Sequence, residues 1–269
     1  MNEHVLHYYG YTDEEIPRKK FSKVISFHDC PDMDWENLCD SIPALPKGWH
    51  ELCQLPRNDR IQFTLDYWLA KLPYHLHLDE AISQFFGELD DVGCFATQVK
   101  KSDPLKVEMV YSVSQNRGFY RGAIPASEED VIDLQKLFLD YILPEDYLAF
   151  LQIHNGFCKT TDCTGIMSAE KVASTYKQLQ ALIASQGMVT TTSGNPVDPE
   201  GLIPFYKSFG MPYYQCFWSG WHPEQEMGNV YYSGEMNSIS EIGNGESSET
   251  MTFPTFLGWL IFYLEQMNI

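Results

Sequence analysis

The feature that most constrains this chain is the run Leu143-Pro144-Glu145-Asp146-Tyr147-Leu148-Ala149-Phe150-Leu151-Gln152-Ile153-His154-Asn155-Gly156-Phe157. Pro144 suits a first helical position, where a missing N–H costs nothing. Glu145 and Asp146 place negative charge at the positive end of the helix dipole. Tyr147, Phe150, Leu151 and His154 recur at i, i+3, i+4 and i+7 and make one buried stripe. Asn155-Gly156 then stops the helix, with glycine free to take the left-handed conformation of a C-cap. The spacing predicts a short, capped, amphipathic helix, and by itself it specifies no chemistry.

Around this helix the chain divides near Pro125-Ala126-Ser127 into an α+β region of residues 1–125 and a second part, residues 126–269. In the first, Thr12 is a cap-like start that Pro17 keeps short. Residues 28–60 show no period and read as loops and short turns. Residues 59–72 read as a helix with Ile61, Leu65, Trp68 and Leu69 inward, and residues 78–89 as another with Ala81, Ile82, Phe85, Phe86 and Leu89 inward. Residues 94–99, 106–112 and 119–124 read as strands. Val107, Met109 and Tyr111 alternate as on a half-buried strand, and residues 114–118 suit a hairpin loop. In the second part, Ser127 with Asp130 makes a capping box ahead of the stripe Val131, Leu134, Leu137, Phe138 and Tyr141. Residues 168–185 read as a helix with Val172, Tyr176, Leu179 and Ile183 aligned. Residues 185–201 read as an exposed, mobile loop. Two aromatic strands and a terminal helix over 252–267 complete an α+β unit the size of one domain.

The run at 143–157 closely resembles the signature of the SUKH superfamily, the Smi/Knr-like proteins: Leu143-Pro144, Tyr147, Phe150-Leu151 and Asn155-Gly156 fall at its positions. Further similarities follow in order. These are Leu202-Ile203-Pro204-Phe205, Tyr213-Tyr214-Gln215-Cys216-Phe217, Gly228-Asn229-Val230-Tyr231-Tyr232 and Thr252-Phe253-Pro254-Thr255-Phe256-Leu257. The chain departs from the pattern at Cys216-Phe217-Trp218-Ser219, where the family often ends a strand on an acidic residue, and in the long spacer at 185–201. The resemblance covers about residues 128–269. It implies a mainly antiparallel sheet flanked by helices and a protein-binding role. In bacteria that role is immunity, by binding and blocking a toxin, commonly a nuclease. In the eukaryotic branch it is regulatory scaffolding in cell-wall signalling.

Charge bears on the partner. Residues 1–125 hold 13 basic and 19 acidic side chains, a net of −6; residues 126–269 hold five lysines, no arginine and 18 acidic groups, a net of −13. A phosphate backbone is repelled by such a surface, which argues against direct nucleic-acid binding. A basic protein is attracted and steered. Composition alone favours the plainer reading, that acidity keeps the protein soluble, and the resemblance is what raises the partner reading. No apolar run approaches the roughly 20 residues of a membrane helix. The opening Met1-Asn2-Glu3-His4-Val5-Leu6 lacks the basic and apolar regions of a signal peptide. The seven scattered cysteines read as reduced thiols. Together these place the expected protein in the cytoplasm.

Catalytic patterns are sparse. The sequence carries no Gly-rich phosphate loop, no Gly-x-Ser-x-Gly elbow and no His-Glu-x-x-His helix. Cys158 and Cys163 are too widely spaced for a zinc pair and no second pair follows. His75 and His77 would share one face of a strand, without a further ligand nearby. His154 lies on the buried stripe and suits a core or helix-end histidine better than a general base. A hydrolase using Cys158 or Cys163 with His154 is a third reading. The expectation is therefore no cofactor, no metal and no catalysis. The candidate partner-binding residues are Trp218, Trp221, Glu224 and Glu226 in the segment joining two aromatic strands, where tryptophan beside carboxylates suits an anchor with a charged rim. Asn155, Asp162, Tyr213 and Glu235 complete the set. The expected partner is a basic protein of the nuclease-toxin type.

Overall fold

A computed structural model describes residues 1–10, 20–29, 35–162, 164–208, 210–242 and 250–266. The chain forms two compact units: Met1–Ala70 with Ile82–Ile124, and Lys71–Ala81 with Pro125–Met267. The cap-like start at Thr12–Pro17 lies outside the described residues.

The first unit holds helices α1 (Glu3–Tyr9), α2 (Trp35–Ser41), α3 (Lys47–Cys53), α4 (Arg57–Lys71) and most of α5 (Leu78–Gly87). Its strands β1 (Lys23–Ser26), β2 (Leu89–Gln98), β3 (Lys106–Val113) and β4 (Phe119–Ala123) run antiparallel in the order β1-β2-β3-β4. Asn2 caps α1 through the Val5 N–H, and its amide nitrogen donates to the Val113 and Gly118 carbonyls at 2.7 and 2.6 Å, fixing the β3–β4 turn. That turn bends through Gln115 and Asn116, both at positive φ. β3 is buried on both faces, not one. Val110 meets Val5, Tyr9, Phe95 and Phe119 on one side, while Tyr111 meets Trp68, Phe85 and Phe86 on the other.

Three expectations change here. Residues 28–60 contain α2, α3 and the start of α4 rather than loops alone, because single large side chains such as Leu38, Trp49 and Leu52 bury short helices that show no period. β2 begins five residues earlier than expected. The inner stripe of α4 is Arg60, Thr64 and Trp68, rotated from the apolar face read in sequence. Arg60 is the cause. Its guanidinium is buried against Asp91 (2.7 Å) and the carbonyls of Val92 and Leu55, a geometry that arginine's planar fork satisfies.

The second unit carries α6 (Glu128–Leu137), α7 (Glu145–Leu151), α8 (Ala169–Gln186) and α9 (Phe256–Glu265). Its strands are β5 (Phe157–Lys159), β6 (Gly165–Ile166), β7 (Thr190–Thr191), β8 (Leu202–Lys207), β9 (Tyr213–Trp218), β10 (Asn229–Ser233) and β11 (Ser238–Ile239). They run in the order β5-β6-β8-β9-β10-β11-β7, antiparallel except for the parallel β11–β7 pair. The α+β class and mainly antiparallel sheet flanked by helices hold as expected. Alternation along β9 and β10 supplies two faces. Tyr214, Cys216, Val230 and Tyr232 pack with Leu179 and Ile183 of α8. Phe217 faces Tyr147 of α7 (ring centroids 5.1 Å apart) and Phe205 (4.4 Å). A bulge at Pro204–Tyr206 brings Phe205 onto the same face, edge-on to Trp259 of α9. Proline belongs at such an irregularity because it cannot donate to the ladder.

The capping box at Ser127 and Asp130 forms as read. Two other readings are corrected. The 185–201 segment is tied down: Val189 and Val197 enter the core, β7 pairs with β11, and Glu241 accepts from the Ser193 N–H and the Thr192 hydroxyl. Asn155-Gly156 does not cap α7, which ends at Leu151 with Pro144 as its N-cap. Instead Asn155 Oδ1 accepts the Ala169 N–H at 2.7 Å and caps α8, whose N-cap Ser168 makes no side-chain bond. Gly156, at φ +106°, permits the turn that brings Asn155 there.

Candidate functional site

The connection between β9 and β10 is a loop closed by backbone bonds. The Trp218 N–H donates to the Gly228 carbonyl, Gly228 N–H to Trp221, Trp221 N–H to Trp218, and Ser219 N–H to Gly201, at 2.9, 3.0, 3.1 and 3.0 Å. Trp218 and Trp221 are half-buried and pack against the α8-side core. The Trp221 ring lies over Gly228 so closely that a Cβ there would sit 2.4 Å from it. The indoles therefore form the floor of the loop, and His222, Pro223, Glu224 and Gln225 form its exposed crest.

Glu226 turns back toward α7. Its Oε1 accepts the Glu145 N–H at 3.3 Å, a bond that the proline N-cap cannot supply from its own side chain. Next to it, Asp146 is buried and joins two helix starts, accepting the Tyr147 N–H at 2.8 Å and the Leu257 N–H of α9 at 2.9 Å. Burial pushes its carboxyl up to about 6; Glu226 adds to the rise, while the two N–H bonds and His75 oppose it. Thr255, the N-cap of α9, bonds through Oγ1 to the Gly258 N–H and to His75 Nε2, both at 3.0 Å. Its carbonyl accepts from Asn229, which also bonds Gln215 across the sheet. Residues 73–77 are an irregular connection between α4 and α5, so His75 and His77 do not share a strand face; His77 has φ +63°. Flanking His75, Tyr74 is 88% and Leu76 63% exposed.

The expected partner-binding residues thus fall into separate places. Trp218, Trp221, Glu224 and Glu226 meet in one loop. Asn155 is engaged in the α8 cap. Asp162 accepts from the hydroxyls of Tyr206 and Tyr263 and from the Lys159 N–H; its charge and hydrogen bond, after burial, hold the Tyr206 hydroxyl well above its ordinary pKa. Tyr213 and Glu235 bond to each other at 2.7 Å at the far end of β9, about 17 Å of strand from Trp218. Sequence reading missed Glu145 as a neighbour of the loop, and Asp146 and His75 as neighbours of the α9 start, because only the folded chain brings them there.

His154 is 1% exposed and stacks on Phe157. Cys158 is half-buried, and Cys163 lies outside the described residues. Among the described residues, no group of three or more His, Cys, Asp or Glu side chains is arranged to hold a metal. No described helix is long and apolar enough to cross a membrane.

The order of these elements, with Asp146 joining α7 to α9 and Asn155 capping α8, is built on the segments that carried the resemblance. A family model for the SMI1 / KNR4 family (SUKH-1) matches residues 125–261, just over half of the chain. The chain belongs to the SMI1/KNR4 family. The match begins at the start of the second unit's main segment and leaves out residues 71–81, so the Tyr74–Leu76 connection lies outside the SUKH-1 segment. No curated protein matches the chain.

Proposed function

We propose that the SUKH-1 unit is a non-catalytic binding module that captures a basic protein, and that the chain acts in the cytoplasm as an immunity protein against a nuclease-type toxin. The observation that carries this reading is the β9–β10 loop. Its backbone is closed at its base, it raises Glu224 on an exposed crest, and it belongs to a half-chain with 18 acidic and five basic side chains. A preformed loop loses little conformational entropy on binding. Carboxylates at Glu145, Glu224 and Glu226 would occupy the phosphate-binding surface of the toxin, over a floor of half-buried indole. Membership of the SUKH-1 family supports an immunity or regulatory role without naming the partner.

The test is capture of toxin domains encoded beside the gene by the full chain, followed across ionic strength. We expect tight binding that weakens steeply as the screening length shortens toward about 8 Å. Failure to bind any neighbouring toxin would count against immunity. A regulatory scaffold is the second reading, favoured by a first unit with its own core outside the SUKH-1 match. Its mainly apolar contact would change little with salt.

A further inference from the structure

Residues 71–81 come from the half of the sequence that the SUKH-1 match does not cover, yet they belong to the compact unit that holds it. Leu72 and Leu78 are buried at either end of the connection, and His75 is tied to Thr255 at 3.0 Å. Between these anchors Tyr74 is 88% and Leu76 63% exposed. An isolated exposed leucine is ordinary. A tyrosine and a leucine, one on each side of an anchored histidine, are held out at fixed positions. The surroundings are acidic. The bonds from His75 to Thr255, from Leu257 to Asp146 and from Glu145 to Glu226 join this connection to three carboxylates, and Asp79 and Glu80 follow in the chain. None of the five lysines after residue 125 lies in 143–147, 219–229 or 254–258, the segments that make up these surroundings; the exposed Lys71 opens the connection itself.

We propose that the connection at 72–77 is a docking element in which Tyr74 and Leu76 seat the apolar side chains of a basic partner segment while Glu145 and Glu226 take its arginines or lysines. The proposal rests on the basic-partner reading above and adds the element that provides its apolar contact. Charge complementarity fixes the occupant: a wholly apolar segment would bring nothing to offset the desolvation of these carboxylates, and a purely basic one would leave Tyr74 and Leu76 in water. Tyrosine is enriched among interface residues that dominate binding energy, and carboxylates suit the rim around it.

The probe is a fluorescein-labelled peptide of alternating arginine and leucine, titrated by anisotropy with the full-length chain at low ionic strength. An arginine–glycine peptide of equal charge serves as control. We expect the Tyr74→Ala, Leu76→Ser double variant to weaken the arginine–leucine peptide by about thirtyfold, the scale of one lost hot spot, and to leave the arginine–glycine peptide unchanged. Both residues are exposed, so the variant should fold as the parent does, and thermal melting checks this. Leu139→Ser with Ile142→Ser, at another exposed apolar pair of the unit (82% and 81%), should change nothing. If the double variant binds like the parent while Glu224→Gln with Glu226→Gln abolishes binding, the docking element is wrong and the basic-partner reading stands. A loss confined to the Leu139 and Ile142 variant overturns the proposal in favour of that patch. If the parent binds neither peptide, both the element and the basic-partner reading fall.

Discussion

In the first unit carboxylates meet arginine: Asp91 with Arg60, Glu108 with Arg121 and Glu88 with Arg117. In the SUKH-1 unit, apart from the exposed pairs Asp133–Lys136 and Glu80–His77, they meet N–H and O–H groups. Asp146 accepts from two backbone amides, Asp162 from two tyrosine hydroxyls, Glu226 from a helix start, Glu235 from Tyr213, and Glu241 from Ser193 and Thr192. An ion pair satisfies lone pairs and cancels charge. An amide or hydroxyl satisfies the lone pairs and leaves the charge in place. The first arrangement makes a protein interior; the second makes a folded domain that still projects a negative field, which can speed and orient encounter with a cationic partner.

The contrast is open to test by mutation. The largest effect should come from Arg60→Met, which takes the guanidinium at 2.7 Å from the buried Asp91 and leaves it only the Met1 ammonium at 3.3 Å as a cationic partner. We expect a loss of about 3–5 kcal/mol in urea denaturation of the full chain. A loss no larger than that of an ordinary surface substitution would mean that the pair is not what holds α4 to β2. Next, Asp146→Ala leaves the Tyr147 and Leu257 N–H groups buried and unmatched, at about 2–3 kcal/mol.

Asp146 also carries a pH signature. Its folded pKa of about 6 exceeds the ordinary carboxylate value, so between about 4 and 6 the folded chain binds more protons than the unfolded one. Its contribution is therefore fully present below about pH 4 and is lost as pH rises through about 6, a change on the order of 3 kcal/mol. Asp146→Asn should flatten that part of the stability profile. An unchanged profile would show that Asp146 titrates normally.

Asn155→Ala removes the cap of α8 and should cost about 1 kcal/mol, with Asn155→Asp recovering most of it, read by thermal melting. If Ala and Asp behave alike, the Ala169 bond is not a working cap. The smallest effect belongs to Lys136→Met, which breaks an exposed i,i+3 pair with Asp133; a few tenths of a kcal/mol is the ceiling.

Where packing follows periodicity, the sequence was legible. Ser127 and Asp130 announced α6, and Tyr147, Phe150 and Leu151 announced the buried face of α7. Where burial depends on isolated side chains it was not. α2 and α3 are seven residues each, too short for a period to show, and the 185–201 segment enters the core through Val189 and Val197 alone. The α4 stripe misled because an arginine, not a leucine, faces inward. In the candidate site, Trp218, Trp221, Glu224 and Glu226 were visible as a cluster because they are adjacent in the chain. Glu145 and Asp146 were read only as helix-start charges, since their bonds to Glu226 and Leu257 span 81 and 111 residues. Asn155 was correctly read as a cap and assigned to the wrong helix.

The β9–β10 loop is closed almost wholly by main-chain atoms, with the two indoles beneath it. Positions 222 to 224 are exposed and lie outside those bonds, whereas Gln225, at φ +69°, must tolerate the left-handed conformation. Such a loop can be re-lettered there, exchanging one binding preference for another, while the sheet that carries it stays as it is.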